Sequence, residues 1–532
     1  QEISWEEALS EISVKVRGIQ AEYGTDAVGI YAGNPNAHNL GSAMFLKQFY
    51  KALGSKNRFS SASADQLPHH VASNYMFGAG MAISVPDIDH TDYMLIIGGN
   101  PVVSNGSMMS AAGVPGRIKE IKKRGGKVVV IDPRKTETAA LASEHLFIRP
   151  EKDALLLIAI INTIISEGLS DLGHLESAVT GYSEVVDAVQ GFTAATVADA
   201  TGISAEKILE IGRDMARAPS AVCYSRMGAS TQSFGGLCLW LTNVLNIITG
   251  NFDREGGAMF PLPALDLLQG IPKGRPNNFG RYQSRVSGLP NNHSEFPIAT
   301  LAEEIRTKGD GQIKAMFTIA GNPVLSAPGG DELTPAFQSL EFMVSVDIYL
   351  NETTKHADII LPATTGLEIA HYDVFFNSFA VRNTAKFSKP MFAKKPNQKH
   401  DWEILKALSN RLCGKEDDGM TPEIMLDMGL KAGPYKDQGM SLQKLLDNPH
   451  GIDLGPLKPC LAERIKTADG KIQLAPKIYL DDLPRLKNVL NRDSEVRRSF
   501  PFAMIGRRLA RSHNTWTQNS RRLVKGKPPC TL

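Results

Sequence analysis

The sequence predicts an α/β protein with two doubly wound, Rossmann-like units. Three observations predict it. Short apolar runs alternate with stretches whose apolar residues fall at helical spacing. That rhythm gives way to a mostly helical interval and then restarts. In both halves an apolar run ends in Gly-Asn-Pro, at Gly99-Asn100-Pro101 and at Gly321-Asn322-Pro323. Two such tripeptides, each just after an apolar run, are an internal echo and point to duplicated ligand-binding halves.

Taken in order, Ala27 to Ala32 (AVGIYA) is an apolar strand closed by Gly33-Asn34-Pro35, and a helix is expected from Gly41 to Leu53. Tyr93 to Ile97 (YMLII) is a buried strand punctuated by Gly98-Gly99-Asn100-Pro101. Val114 to Arg124 has the periodicity of an amphipathic helix. Lys127 to Ile131 (KVVVI) is the next strand and ends in Asp132-Pro133-Arg134. The mostly helical interval runs from Lys152 to Ile248. Ala315 to Ile319, Phe342 to Val346 and Ile359 to Leu361 are strands again, followed by Ala320-Gly321-Asn322-Pro323, Asp347 and Pro362. Pro261 to Pro297, rich in Pro, Gly and Asn, is a long loop, and Gly414 to Pro456 is connecting structure. From Arg497 onward there are nine Lys or Arg and no acidic residue, which is either a solvated edge or a surface for an anionic cofactor.

The 532 residues, 42% hydrophobic and 21% charged, suffice for several cores, and a net charge of +2 points to no nucleic-acid partner. Apolar runs such as Ala154 to Ile165 are too short to span a bilayer, so no direct membrane span is expected. Five scattered cysteines without a CxxC pair argue against a disulfide framework, a zinc site or an iron–sulfur site made by this chain. There is no GxGxxG after the first strand, no GxxxxGK[ST], no GxSxG and no HExxH. The first residue is Gln1, and the chain is expected to start mid-protein.

In parallel α/β sheets, ligands sit outside the carboxyl ends of the strands, where backbone N–H groups and helix N-termini suit phosphates. Four loops fit that description: Gly98 to Asn100, Asp132 to Arg134, Gly321 to Pro323, and Asp347 with Glu352-Thr353. They read as phosphate- or nucleotide-binding loops; ordinary turns are the competing reading.

The blocks ISWEEAL (Ile3 to Leu9), DYMLIIGGNP, KVVVIDPRKTETA (Lys127 to Ala139), FIRPEKDALL (Phe147 to Leu156), MGASTQSFGG, NVLNIITGNFDREGGA, IAGNPVLSAP and DIYLNETTKHADIILPATTGLE occur in this order. Together they resemble the molybdopterin oxidoreductase (DMSO reductase) family over nearly the whole chain. The resemblance implies two pterin guanine dinucleotides chelating one molybdenum or tungsten. It implies two-electron redox or oxygen-atom transfer on a small-molecule substrate. Gly99, Asn100, Asp132, Arg134 and Asp153 would serve one dinucleotide; Gly321, Asn322, Asp347, Thr353 and Asp358 the other. Gly228, Gln232, Arg254 and Gly257 would lie near the pterins or the substrate funnel, with Arg254 a candidate catalytic residue. The family's metal ligand lies a short way before a Phe-Gly, here Phe77-Gly78, which puts Asp65 at that place with Ser63 and Ser61 as alternatives. Carboxylate oxygen suits a high-valent metal; the competing reading is that Asp65 caps the next helix.

Asp as ligand resembles the nitrate-reductase and hydrocarbon-dehydrogenase branch. Formate dehydrogenases usually place a His after the ligand, where this chain has Gln66. His69 and His70 are candidate proton shuttles. The segment from Ala503 onward resembles the start of the family's C-terminal β-barrel, with Arg507, Ser512, His513, Asn514 and Trp516 as pterin contacts. The implied organisation is one discontinuous unit over 1–60 and 300–410, a second over 61–299 holding the ligand, a connecting segment 411–496 and the barrel's beginning at 497–532. The chain is expected to be cut off at both ends. A [4Fe–4S] cluster is expected from an upstream segment, with an electron-transfer protein or iron–sulfur subunit as partner. The expected location is cytoplasmic, or periplasmic if a twin-arginine signal precedes. A non-catalytic structural homologue in a respiratory complex and an unrelated nucleotide-binding module are the alternatives.

Overall fold

Runs such as Val28–Ala32, Tyr93–Ile97 and Ala315–Ile319 carry no charged residue, so strands made of them can be covered on both faces. In the computed structural model, which describes residues 1–512, 517 and 520–526, these strands are buried along their whole length and form two parallel sheets. The first sheet has the spatial order Ile359–Leu361, Phe342–Val346, Ala315–Ile319, Val28–Ala32, Arg58–Ser60. Numbered along the chain, that order is 5-4-3-1-2, one of the two common doubly wound orders. The second sheet runs Glu144–Leu146, Lys127–Ile131, Tyr93–Ile97, Ala221–Ser225, which is 3-2-1-4. Each sheet therefore has one point where strand order reverses. It lies between Val28–Ala32 and Ala315–Ile319 in the first, and between Tyr93–Ile97 and Ala221–Ser225 in the second.

The period-two alternation of the first sheet splits its side chains between two cores. Val28, Ile30, Phe317 and Val344 pack with the helices Trp5–Tyr23, Leu40–Leu53 and Asp401–Cys413. Tyr31, Phe59, Met316 and Met343 pack on the other face with Leu301–Arg306 and Gly330–Gln338. The second sheet is buried in the largest core, with the helices Leu67–Phe77, Asp153–Ser166 and Gly235–Ile248 among its cover.

The interval from Lys152 to Ile248 is not only helical. It contains the strand Ala221–Ser225, which completes the second sheet's reversal point. Five residues between two helices give too short a period to separate from a helix end. Within 497–526 the described residues contain the end of the helix Leu483–Ser499 and the helix Arg521–Val524, but no strand. The expected opening of a β-barrel is thus not formed among them; a lone strand has no neighbour for its N–H and C=O groups. Arg507 is exposed outside regular structure, and the Ser512 amide donates to the Leu509 carbonyl (3.1 Å). His513, Asn514 and Trp516 lie outside the described residues. Among the described residues no helix is long and apolar enough to cross a membrane.

Candidate functional site

The two reversal points are built alike. At the first, Gly33 follows Val28–Ala32 and its amide donates to the Ile319 carbonyl (2.8 Å); a methyl on Gly33 would overlap the Ala320 carbonyl oxygen. At the second, Gly98 (φ +58°) accepts from the Gly228 amide (2.8 Å), and a methyl there would lie 2.5 Å from the Ala229 nitrogen. Both crevices thus depend on backbones that approach without side chains between them.

The echo extends to hydrogen bonds. Asn100 donates to Glu137 Oε2 (2.8 Å) and accepts from the Thr138 hydroxyl (2.8 Å), whose oxygen in turn accepts from the Val102 amide (3.1 Å). Asn322 donates to Glu352 Oε2 (2.8 Å) and accepts from the Thr353 hydroxyl (2.7 Å), whose oxygen accepts from the Val324 amide (3.2 Å). Asp132 and Asp347, each the residue after its strand, accept from the amide two residues on, at 2.8 and 2.9 Å. Burial raises the pKa of both carboxyls. Arg134 pairs with Glu137 at 3.6 Å.

A further pair completes the symmetry. Asp153 opens the helix Asp153–Ser166 and accepts from Gln232 Nε2 (2.7 Å), which also donates to the Gly228 carbonyl (2.7 Å). Asp401 opens the helix Asp401–Cys413 and accepts from Asn39 (3.1 Å). Burial holds both carboxyls up at about 6.

Between the two crevices runs the segment after Arg58–Ser60. It leaves the carboxyl edge of the first sheet and enters the helix Leu67–Phe77, which packs under the second. Asp65 lies on it. Its carbonyl accepts from Ser230 Oγ (3.2 Å), and its carboxylate faces the Arg226 guanidinium (3.3 Å), the residue just past Ala221–Ser225. The Asp65 side chain is 40% exposed and lines an open cleft of ≈ 340 Å³ with Ser63, Ser230, Thr231 and Gln232. The helix Leu67–Phe77 has Gln66 at its N-cap position with no side-chain cap, so the carboxylate of Asp65 serves Arg226 rather than the helix. Ser63 Oγ accepts from the Ile298 amide (2.9 Å).

His69 is buried behind this cleft and lines a smaller cavity of ≈ 30 Å³. Burial first, then Arg226 and His70, hold its pKa well below the usual value, so it stays neutral. His70 bonds the Gly80 carbonyl (2.8 Å) and is held near 4 by burial.

Three expected residues are not brought to this edge. Arg254 donates to the Pro219 carbonyl (3.0 Å) ahead of Ala221–Ser225, and the Gly257 carbonyl accepts from the Asp87 amide (2.9 Å). Both lie at the amino edge of the second sheet, roughly 16 Å from its crevice, a five-residue strand length. Asp358 accepts from the Met343 amide (2.8 Å) and closes the amino edge of the first sheet. Glu137, Thr138, Asp401 and Arg226, by contrast, lie at the crevices, and the sequence alone does not single them out. The signal for Thr138 was present: Asp132-x4-Glu137-Thr138 repeats as Asp347-x4-Glu352-Thr353.

The residues fit a large anionic group. Arg226 is 3% exposed, and its Nε and Nη1 have no hydrogen-bond partner; Gln232 Oε1 is likewise buried and unpartnered. Among the described residues no three His, Cys, Asp or Glu side chains gather to hold a metal, so a metal at Asp65 needs its other donors from a cofactor.

A family model described as molybdopterin oxidoreductase matches residues 1–411. Formate dehydrogenase H of Escherichia coli is 27% identical over 494 residues, 85% of this chain and 67% of that protein. The assimilatory nitrate reductase catalytic subunit of Bacillus subtilis is 27% identical over 431 residues, 77% of this chain and 58% of that protein. The chain thus spans 58% to 67% of the length of these relatives. Acetylene hydratase from Pelobacter acetylenicus superposes with a TM-score of 0.78 over 98% of this chain and 75% of that one; at 20% identity this concerns the fold.

Proposed function

The chain belongs to the molybdopterin oxidoreductase family, and on that premise we propose that it is the catalytic core of an oxidoreductase holding molybdenum or tungsten between two pterin guanine dinucleotides. When bound, that group supplies two-electron redox or oxygen-atom chemistry on a small substrate. The chain's own residues bind and orient it. Asn100, Asp132, Arg134 and Asp153, with Thr138 fixing the Asn100 loop, serve one dinucleotide. Gly321, Asn322, Asp347 and Thr353, with Asp401, serve the other. The carboxylates would accept hydrogen bonds from ribose hydroxyls or guanine N–H groups, and the amides of the crevice loops would suit phosphate. Arg226 would offer its two unpartnered nitrogens, Nε and Nη1, to an anionic part of the cofactor. Asp65 would be the protein's ligand to the metal. An iron–sulfur cluster outside these residues would supply the electron route to an electron-transfer partner.

The observation that carries this reading is the pair of like-built crevices on either side of Asp65. Metal and cofactor analysis of the purified protein tests it. The expected result is molybdenum or tungsten, the fluorescence of oxidised pterin, and two GMP per metal after acid hydrolysis. Absence of both metals and of pterin sinks the reading. The ligand assignment is tested by Asp65→Ala, expected to keep pterin while changing the metal's X-ray absorption and abolishing turnover. An unchanged spectrum with full activity refutes it.

A further inference from the structure

The carboxylate of Asp65 lines an open cleft, yet it meets a buried cation. Among the described residues no other carboxylate pairs with the Arg226 guanidinium. A buried charge stripped of its partner is costly, so this pair holds the Asp65 side chain. Ser230 Oγ fixes the Asp65 backbone through its carbonyl (3.2 Å). One nitrogen of Arg226 makes two contacts: Nη2 lies 3.3 Å from Asp65 Oδ1 and donates to Ser107 Oγ (2.8 Å). Among the described residues nothing bonds Asp65 Oδ2.

Ser107 is presented by a strained turn. Asn105, Gly106 and Ser107 follow one another with φ of +53°, +97° and +61°. Left-handed backbone is unfavourable for Ser, and such strain lasts only where the surroundings impose it. The Tyr224 hydroxyl donates to the Gly106 carbonyl. The Gly106 amide donates to Ser104 Oγ (3.2 Å), which donates to the Asn100 carbonyl (3.2 Å). Tyr224 lies on the strand Ala221–Ser225, two residues before Arg226. One strand therefore fixes both the guanidinium and the turn that anchors it, and the turn is tied to the Asn100 loop of the second crevice.

We propose that Arg226 and Ser107 are positioning residues for Asp65: the guanidinium, anchored by Ser107, holds one carboxylate oxygen and leaves the other for the metal. Carboxylates bind metal ions through one oxygen or two. A carboxylate tied by one oxygen has a single one to give. This rests on the reading of Asp65 as metal ligand. It uses Nη2, not the two nitrogens that would face the cofactor.

The pair itself is tested without the metal. In cofactor-free protein, Asp65→Ala is expected to lower the melting temperature by roughly 2–4 °C. In an Arg226→Met background it is expected to have no effect, because the guanidinium is gone. Equal effects in both backgrounds overturn the proposal.

The positioning role is tested in metal-loaded protein with Ser107→Gly. Glycine accepts the left-handed backbone, so this variant loses the anchor and keeps the fold and the Arg226 charge. Far-ultraviolet dichroism, metal content and pterin content are expected to match wild type. X-ray absorption of wild type is expected to show one carboxylate oxygen at the metal, and that of Ser107→Gly a second oxygen or a longer bond to the first. In an Asp65→Ala background Ser107→Gly should change nothing. The positioning role is overturned, and the proposed function stands, if Ser107→Gly matches the wild-type spectrum, if wild type already shows two carboxylate oxygens, or if the change persists without Asp65. An Asp65→Ala spectrum identical to wild type overturns the ligand assignment, and the positioning role with it.

Discussion

Asp153 is a carboxyl group whose ionisation the fold shifts to higher pH. It is 5% exposed, and burial lifts its pKa from about 3.9 in an unfolded chain to about 6, against the hydrogen bond from Gln232. The raised value means that folding favours the protonated form. Its contribution is full below about pH 3.9 and is lost as pH rises through about 6. Asp153→Asn removes the titration and keeps an oxygen to accept from Gln232. From pH 4 to pH 7, cofactor-free wild type is therefore expected to lose about 2 kcal/mol relative to the Asn variant, read from urea unfolding at both pH values. Equal gaps at pH 4 and 7 would show that Asp153 does not titrate there. Asp401, also near 6, predicts a matching result for Asp401→Asn. The same burial is what binding would relieve: a guanine N–H or ribose hydroxyl at either carboxylate stabilises its charged form.

The loop elements show what the sequence disclosed and what it hid. Gly-Asn-Pro was visible because its residues are contiguous and follow apolar runs that are unmistakable as buried strands. The strand Ala221–Ser225 was not, so the second crevice lacked one wall and Arg226 had no assigned place. That Arg254 and Gly257 stand at the amino edge is not legible in the sequence, because a motif does not declare which edge of a sheet it occupies. A strand delivers the chain to the carboxyl edge and the following helix returns it, so TGNFDREGG, which comes after the helix Gly235–Ile248, must lie at the amino edge. Asp358 precedes its strand and falls under the same rule. Thr138 and Asp401 become legible only when the two halves are superposed. That superposition makes a prediction. Thr138→Val strands the Val102 amide, while the residue-138 amide still donates to the Asn100 carbonyl oxygen (3.2 Å); Thr353→Val strands both the Val324 amide and the Asn322 carbonyl oxygen. Each is expected to cost about 1–3 kcal/mol and to lower bound GMP, as measured by urea melts and nucleotide analysis. A loss confined to one half would break the equivalence. Gly33→Ala is expected to be worse than either, since the methyl meets backbone that cannot swing away; its melting temperature should fall furthest of the three.

Across the whole molecule, the first sheet is made from chain on both sides of the second: residues 28–60 and 315–361 flank residues 93–225. The two sheets bury their apolar faces in separate clusters. Polar links join the halves at several separate places, among them Ser60 to Glu295 (2.6 Å), the Phe296 amide to the Arg58 carbonyl (2.8 Å) and the Leu262 amide to Asn383 (2.9 Å). Ser110 exchanges backbone hydrogen bonds with Phe379 and Val381 (2.7 and 3.1 Å), and Ser230 donates to the Asp65 carbonyl (3.2 Å). A cofactor touching both crevices adds its binding free energy to the folded state of each and couples them, by the logarithm of ligand concentration over Kd. Removing it takes away that coupling and leaves Arg226 buried beside an unsatisfied space. Metal-loaded protein is thus expected to unfold in one calorimetric transition, and stripped protein in two at lower temperature. Asn322→Ala should then lower only one of the two, and Asn100→Ala only the other, because each Asn organises the loops of one sheet. A single transition that survives stripping, or an Asn substitution that moves both transitions together, would mean that the halves are held by their own packing and that the cofactor does not act as the bridge between them.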